Sequence, residues 1–166
     1  GIRGQLPFNA VDYNPLLRAA LSNLHRWVST GESSPPSEHP SLDAGSALET
    51  SDLAPRFAAL PGVQPIDRPT HAMRLDYGAE SKLGRTTTLP PDLGQGFPAL
   101  VSDVDAAFNE IAGIRLPDLQ VPVATYTGWN LRHPENGNPD LIMGVSGGLS
   151  GWTLPFAATQ KERESS

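Results

Sequence analysis

The residues best equipped for chemistry stand in Tyr126-Thr127-Gly128-Trp129-Asn130, with Arg132 close behind. Two aromatic rings beside a hydroxyl, a carboxamide and a guanidinium form a mixture that lines small-molecule pockets. The rings supply apolar area, and the polar groups fix a ligand's orientation. The competing reading is a structural loop in which Trp129 fills a core and the Asn130 carboxamide serves the backbone. Tyr126, Trp129, Asn130 and Arg132 are therefore the candidate substrate-binding residues, weighed against that structural alternative.

A second pattern, Gly144-Val145-Ser146-Gly147-Gly148, fits G-x-S-x-G. A nucleophile elbow needs a strand before the serine and a helix after it, with the acid and the histidine of the triad later in the chain. Leu141-Ile142-Met143 could supply the strand, but the glycines and Pro155 that follow oppose a helix. No histidine follows Ser146. A glycine-rich loop is the expectation, and no residue of the chain is assigned as catalytic. His133, Asp140 and Ser146 offer the residue types of a non-standard triad, but spacing alone does not supply a triad's geometry.

Metal sites fare no better. His25, His39, His71 and His133 are scattered without an H-x-H or HExxH pair, and cysteine is absent, which removes most zinc arrangements. Asp103, Asp105, Asn109 and Glu110 could offer oxygens to calcium, but the stretch lacks the EF-hand pattern with its central glycine. A polar hairpin turn is the better reading. No metal and no cofactor are expected.

The elements that must position these groups are few. Asn14-Pro15 opens a helix of about 15 residues, with Asn14 as N-cap, Pro15 at the first helical position and Gly31 as C-cap. Leu16, Leu17, Ala20, Leu21, Leu24, Trp27 and Val28 fall on one face at helical spacing, opposite Arg18, Asn23 and Arg26. So wide an apolar face requires a sheet or other helices to cover it, and the chain offers few strong strands. Residues 31–98 are broken repeatedly by proline, with a short strand expected at Arg74–Tyr77. A loop of that length counts against an independent compact domain unless it wraps a neighbour. Beyond Phe97, strands are expected at Ala99–Val104, Glu110–Leu116, Val121–Tyr126 and Asp140–Val145. Asp105–Asn109 joins the first two as a hairpin, and Asn136–Asn138 marks a turn. Lys161–Ser166 reads as a charged tail.

Composition sets the outer limits. Leu, Ile, Val and Phe make up 38 of 166 residues, just above the roughly 20% below which chains tend to stay disordered, so any core is thin. The net charge of −6, with basic residues scattered, argues against a nucleic-acid partner. No apolar run approaches the roughly 18 residues of a membrane span.

Three stretches resemble the C-terminal part of a bacterial family described as alpha/beta hydrolase domain-containing proteins. They are Val11–Leu42, Phe97–Arg132 and Leu154–Glu164, with TYTGWNLR at Thr125–Arg132 the most specific run. The resemblance implies an α/β fold of which this chain is a C-terminal piece: one clear helix, short antiparallel strands and long loops. In that scheme residues 1–30 carry the last helix of the hydrolase core, 31–98 form an irregular wrapping segment, and 99–166 form an extension with short strands. It implies a serine-dependent carboxylic-ester hydrolase whose triad lies ahead of Val11. The missing N-terminal hydrolase core would then be the partner and a small ester the substrate, and the segment would be inactive alone. The alternative is a non-catalytic binding or interaction module derived from that family. One departure stands out: the family's turn resembles D-A-D-G-N, whereas Asp105-Ala106-Ala107-Phe108-Asn109 puts phenylalanine where a tight turn favours glycine.

Overall fold

The computed structural model describes residues 2–144 and 151–159. The glycine-rich run centred on Ser146 and the tail at 161–166 lie outside the described residues.

Helix α1 spans Asn14–Thr30. Its start differs by one residue from the sequence expectation: Asn14 is already helical, and Tyr13 occupies the cap position without a side-chain bond. Asp12 takes over the capping role, its Oδ1 accepting from Asn14 N at 2.9 Å. A carboxylate can satisfy an orphan amide and carries the negative charge that suits a helix N-terminus. Gly31 closes the helix as expected, at φ 76° with its N–H donated to Trp27 O at 2.9 Å. No side chain of α1 is buried. Leu17, Leu21, Leu24, Trp27 and Val28 are all exposed.

The proline-rich region carries more regular structure than its sequence suggests. Strand β1 (Ala47–Glu49) runs into helix α2 (Thr50–Phe57), followed by β2 (Met73–Asp76) and β3 (Asp92–Gly96). Pro55 sits inside α2, and burial of Leu53 and Phe57, one turn apart, holds the helix in place. Strand β2 falls one residue earlier than the Arg74–Tyr77 expectation. Beyond it come β4 (Leu100–Ser102), the single turn α3 (Pro117–Gln120), β5 (Ala124–Tyr126) and β6 (Thr153–Pro155).

Among the described residues the strands form three two-stranded antiparallel sheets, β1 with β4, β2 with β3, and β5 with β6. Registers run Ala47 opposite Ser102, Asp76 opposite Asp92, and Tyr126 opposite Thr153. Two expected strands do not form among the described residues. Glu110–Leu116 is reduced to one bridge, Val104 to Glu110, and the described part of Asp140–Val145, which ends at Gly144, to one bridge from Ile142 to Leu131. Gly113 at φ 85° turns the first of these away from strand geometry. The second lies in a stretch whose amides serve isolated partners instead, Met143 N donating to Asn130 O at 2.8 Å.

The ends of the described chain are sewn together. Gly4 bridges to Arg132 and Phe8 to Trp152. Gln5 N donates to Leu131 O and Asn9 N to Gly151 O, at 2.9 and 2.8 Å. Gly151 has no room for a side chain, since a Cβ there would stand 1.5 Å from Thr127 O. The core is small: Leu53, Phe57, Val63, Val104 and Trp152 are buried, with Leu6, Val101, Phe108, Trp129 and Leu154 packed around them. Phe57 is its hub, with ring centroids 5.4 Å from Phe108, 5.4 Å from Trp129 and 6.0 Å from Trp152. Edge-on aromatic contacts of this kind add to area burial.

Phe108 keeps the turn that its identity seemed to forbid. It sits at φ 59°, the left-handed region that costs an L-residue about 1–2 kcal/mol. Its ring gains burial against Phe57 in exchange. Substitution to glycine removes the strain and the ring together, whereas alanine removes the ring and keeps the strain. Phe108→Ala is therefore expected to destabilise the chain by about 1 kcal/mol more than Phe108→Gly in urea unfolding, reversing the usual order of the two residues.

Candidate functional site

The site is built on the turn from Asp105 to Glu110. Asp105 N donates to Asn109 O at 2.9 Å and Phe108 N to Asp105 O at 3.0 Å, closing the loop. Asp105 Oδ1 accepts from the amides of Ala107 and Asn109 at 2.9 and 3.0 Å, the local side-chain capping that aspartate favours in turns. Its other oxygen pairs with Arg115 Nη2 at 2.8 Å. Burial alone would raise the Asp105 pKa. The Arg115 bond, the two amides and the guanidinium charge outweigh it and leave the carboxyl below its ordinary value.

Asn109 fixes this turn to β5. The residue is fully buried. Its Nδ2 donates to Ala124 O at 3.1 Å and its Oδ1 accepts from Tyr126 N at 2.7 Å. The carboxamide thus imitates a neighbouring strand's peptide group. Thr125 Oγ1 adds a bond to Ala107 O at 2.8 Å. With the turn so held, Phe108 and Glu110 face the same cavity as Tyr126 and Trp129.

That cavity has a volume of about 70 Å³. Phe57, Phe108, Tyr126 and Trp129 line it with Leu53, Val101 and Val104, while Glu110, Ser102, Thr50 and Thr127 supply polar groups. A second depression of about 340 Å³ adjoins it and shares Glu110, Tyr126 and Thr127 as walls. Glu110 as a residue is exposed, yet the protein packed round its carboxyl raises the pKa, with burial the sole cause. No hydrogen bond or ion pair engages this carboxyl among the described residues. The nearby arginines are committed elsewhere, Arg56 to Asp103 and Arg115 to Asp105. A Cβ on Gly128 would stand 3.7 Å from Glu110 Oε1, at ordinary contact distance.

The four residues singled out from sequence divide into two pairs. Tyr126 and Trp129 line the cavity. Asn130 and Arg132 are not among its walls. Asn130 is buried, with Nδ2 donating to Leu6 O at 3.0 Å and Oδ1 accepting from Leu6 N at 3.4 Å. Arg132 is half-buried beside the bridge to Gly4. Sequence reasoning missed Glu110 as a pocket residue and Phe57 as its floor. Glu110 had been grouped with Asp103, Asp105 and Asn109 as a calcium candidate, but Asp103 binds Arg56, Asp105 binds Arg115, and Asn109 serves β5. Among the described residues no group of three or more carboxylates and histidines could hold a metal ion.

The residue types of a triad are not assembled. His133 Nδ1 accepts from Glu135 N at 3.3 Å and lies 3.6 Å from the Glu135 carboxylate. Asp140 accepts from Gln64 at 3.2 Å. Ser146 lies outside the described residues. Among those described, no serine hydroxyl is bonded to a histidine.

The sign of the Glu110 shift yields a pH test. A carboxyl whose folded pKa is raised binds its proton more tightly folded than unfolded, so its contribution to stability falls as pH rises through that window. Asp105 acts in the opposite sense, stabilising above its ordinary pKa and losing that stability as pH falls through the lowered one, but it is common to both proteins compared. Glu110→Gln is expected to melt above the parent at about pH 7, with the gap closing towards about pH 4. Thermal melts across that range check it, and a gap independent of pH would contradict it.

Comparison with known proteins places the chain in a family. Residues 3–164 match the family described as an alpha/beta hydrolase domain, and the chain belongs to it. No curated protein and no solved structure matches.

Proposed function

We propose that this alpha/beta hydrolase family member acts as the C-terminal segment of a serine-dependent carboxylic-ester hydrolase. The catalytic serine, acid, histidine and oxyanion hole reside on a core that this segment wraps. In that reaction the serine attacks the ester carbonyl, an acyl-enzyme forms, and water releases it, with backbone donors holding the oxyanion. The segment contributes packing, and the face of Tyr126 and Trp129 contributes a pocket wall for a small ester. Asn130 and Arg132 support that wall from behind, through the backbone bonds to residues 4–6.

The observation that carries this reading is the uncovered apolar face of α1 in a chain matched by a hydrolase family along nearly its whole length. A helix of this length with nothing buried gains no tertiary support, and isolated helices of about 15 residues are marginal in water. The chain's accessible surface, 11545 Å², also exceeds the roughly 8,000 Å² of a compact monomer of its mass. Both features suit a segment laid over another body. A second reading, a non-catalytic binding module derived from the family, is favoured by the aromatic cavity with its unpaired carboxyl.

The purified chain is expected to hydrolyse no ester and to take up no fluorophosphonate. Ester turnover lost on Ser146→Ala would sink the proposal. Leu21→Glu is expected to leave the chain's own stability within about 0.5 kcal/mol, because the side chain touches no core. The same substitution in the longer hydrolase should lower its melting temperature and ester turnover together. An unchanged hydrolase would show that α1 does not meet the core.

A further inference from the structure

We propose that the cavity between α2, the Asp105–Glu110 turn and β5 is a binding site for a small organic cation of the alkylammonium class. The inference shares Tyr126 and Trp129 with the ester-pocket wall proposed above, but it draws only on the cavity and its charges and requires no hydrolysis. Four aromatic residues line it, Phe57, Phe108, Tyr126 and Trp129, together with Glu110. Aromatic rings attract an ammonium group through their quadrupole, more strongly when the site is shielded from water. The carboxylate supplies the full negative charge that the rings lack.

Charge accounting selects a cation over a neutral ligand. Both arginines on neighbouring elements already hold carboxylates, Arg56 with Asp103 and Arg115 with Asp105. Among the described residues Glu110 is left without a counter-ion beside apolar walls, partly open to solvent, and an arriving cation would meet no competing charge. Burial has raised its pKa, and no neighbouring charge offsets the shift. A bound cation would oppose that shift by favouring the ionised form.

Size and shape select the class. On the scale by which a cavity of about 150 Å³ holds benzene, one of about 70 Å³ takes about three heavy atoms, so the methyl groups of an alkylammonium head enter it in part. The adjoining depression of about 340 Å³, which shares Glu110 and Tyr126 as walls, gives the rest of the ligand an exit. A hydrated metal ion would find one carboxylate and an apolar wall there, too few oxygens for calcium or magnesium.

The test is isothermal titration of the full chain with choline and with its neutral isostere, in which carbon replaces the quaternary nitrogen. Choline is expected to bind about tenfold more tightly than the isostere. Glu110→Gln should cut that preference to the few-fold that the rings alone supply and leave the isostere's affinity unchanged, which also shows that the variant's pocket is folded. N-acetyl-trimethyllysine serves as a third ligand: tighter binding than choline places the natural cation on a protein side chain, and weaker binding places it on a small molecule. Equal affinity for choline and the isostere would overturn the proposal and leave an apolar pocket. Binding of neither ligand, or a preference undiminished in Glu110→Gln, would overturn it as well.

Discussion

The Asn109 carboxamide is the contact on which the rest of this molecule turns. It reaches from a five-residue turn into β5, donating to Ala124 O and accepting from Tyr126 N. Without it, β5 would present two buried backbone groups to nothing, each costing about 1–3 kcal/mol. Because the bonds are bidentate, they fix the turn's position and its orientation together. Phe108 and Glu110, the residues on either side, are thereby aimed into the cavity whose opposite wall is Tyr126 and Trp129. The turn tolerates a phenylalanine at positive φ because that placement puts its ring against Phe57.

A second constraint ties the N-terminal stretch to the C-terminal one. Thr127 sits at the junction: its N–H and hydroxyl engage Trp152, its hydroxyl also donates to Trp129 O at 2.7 Å, and its carbonyl accepts from Asn9. Gly151 permits that approach by lacking a side chain. Trp152 is wholly buried as a result, and its indole stacks edge-on against Phe57 and Trp129. Residues more than a hundred positions apart thus share one small core. Chain connectivity alone would not keep them together, so the hydrogen bonds between the ends bear the entropy of closing that long loop.

The small core and the large exposed apolar area belong to one account. Only a handful of side chains are fully buried, while α1 presents a continuous apolar stripe to solvent. Monomeric proteins rarely leave such a stripe uncovered. On the polar side, the carboxyl of Glu110 lines the cavity with no hydrogen-bond or ion-pair partner among the described residues. Each is an unfinished interaction, the helix lacking a surface and the carboxylate lacking a charge.

Local chemistry was legible in the sequence. The spacing of Leu17, Leu21, Leu24 and Val28, with Pro15 near the start and Gly31 at the end, determined α1 and its apolar face, because helix periodicity and caps are set by neighbours within four residues. The turn at Asp105–Asn109 and the strands at Leu100–Ser102 and Ala124–Tyr126 were also readable. Tyr126 and Trp129 were recognisable as pocket-lining types. The lost strands at Glu110–Leu116 and Asp140–Val145, and helix α2 around Pro55, were not readable, since each was decided by long-range partners that outweighed local propensity. The same holds for the site. Asn130 and Arg132 look alike to Tyr126 and Trp129 in sequence, but Asn130 was drawn to Leu6 and Arg132 to Gly4, more than a hundred residues away. Glu110 joined the site only when folding brought it into one cavity lining with Phe57, Phe108 and Trp129, because a shared cavity is a property of a surface in space and not of a position in a chain.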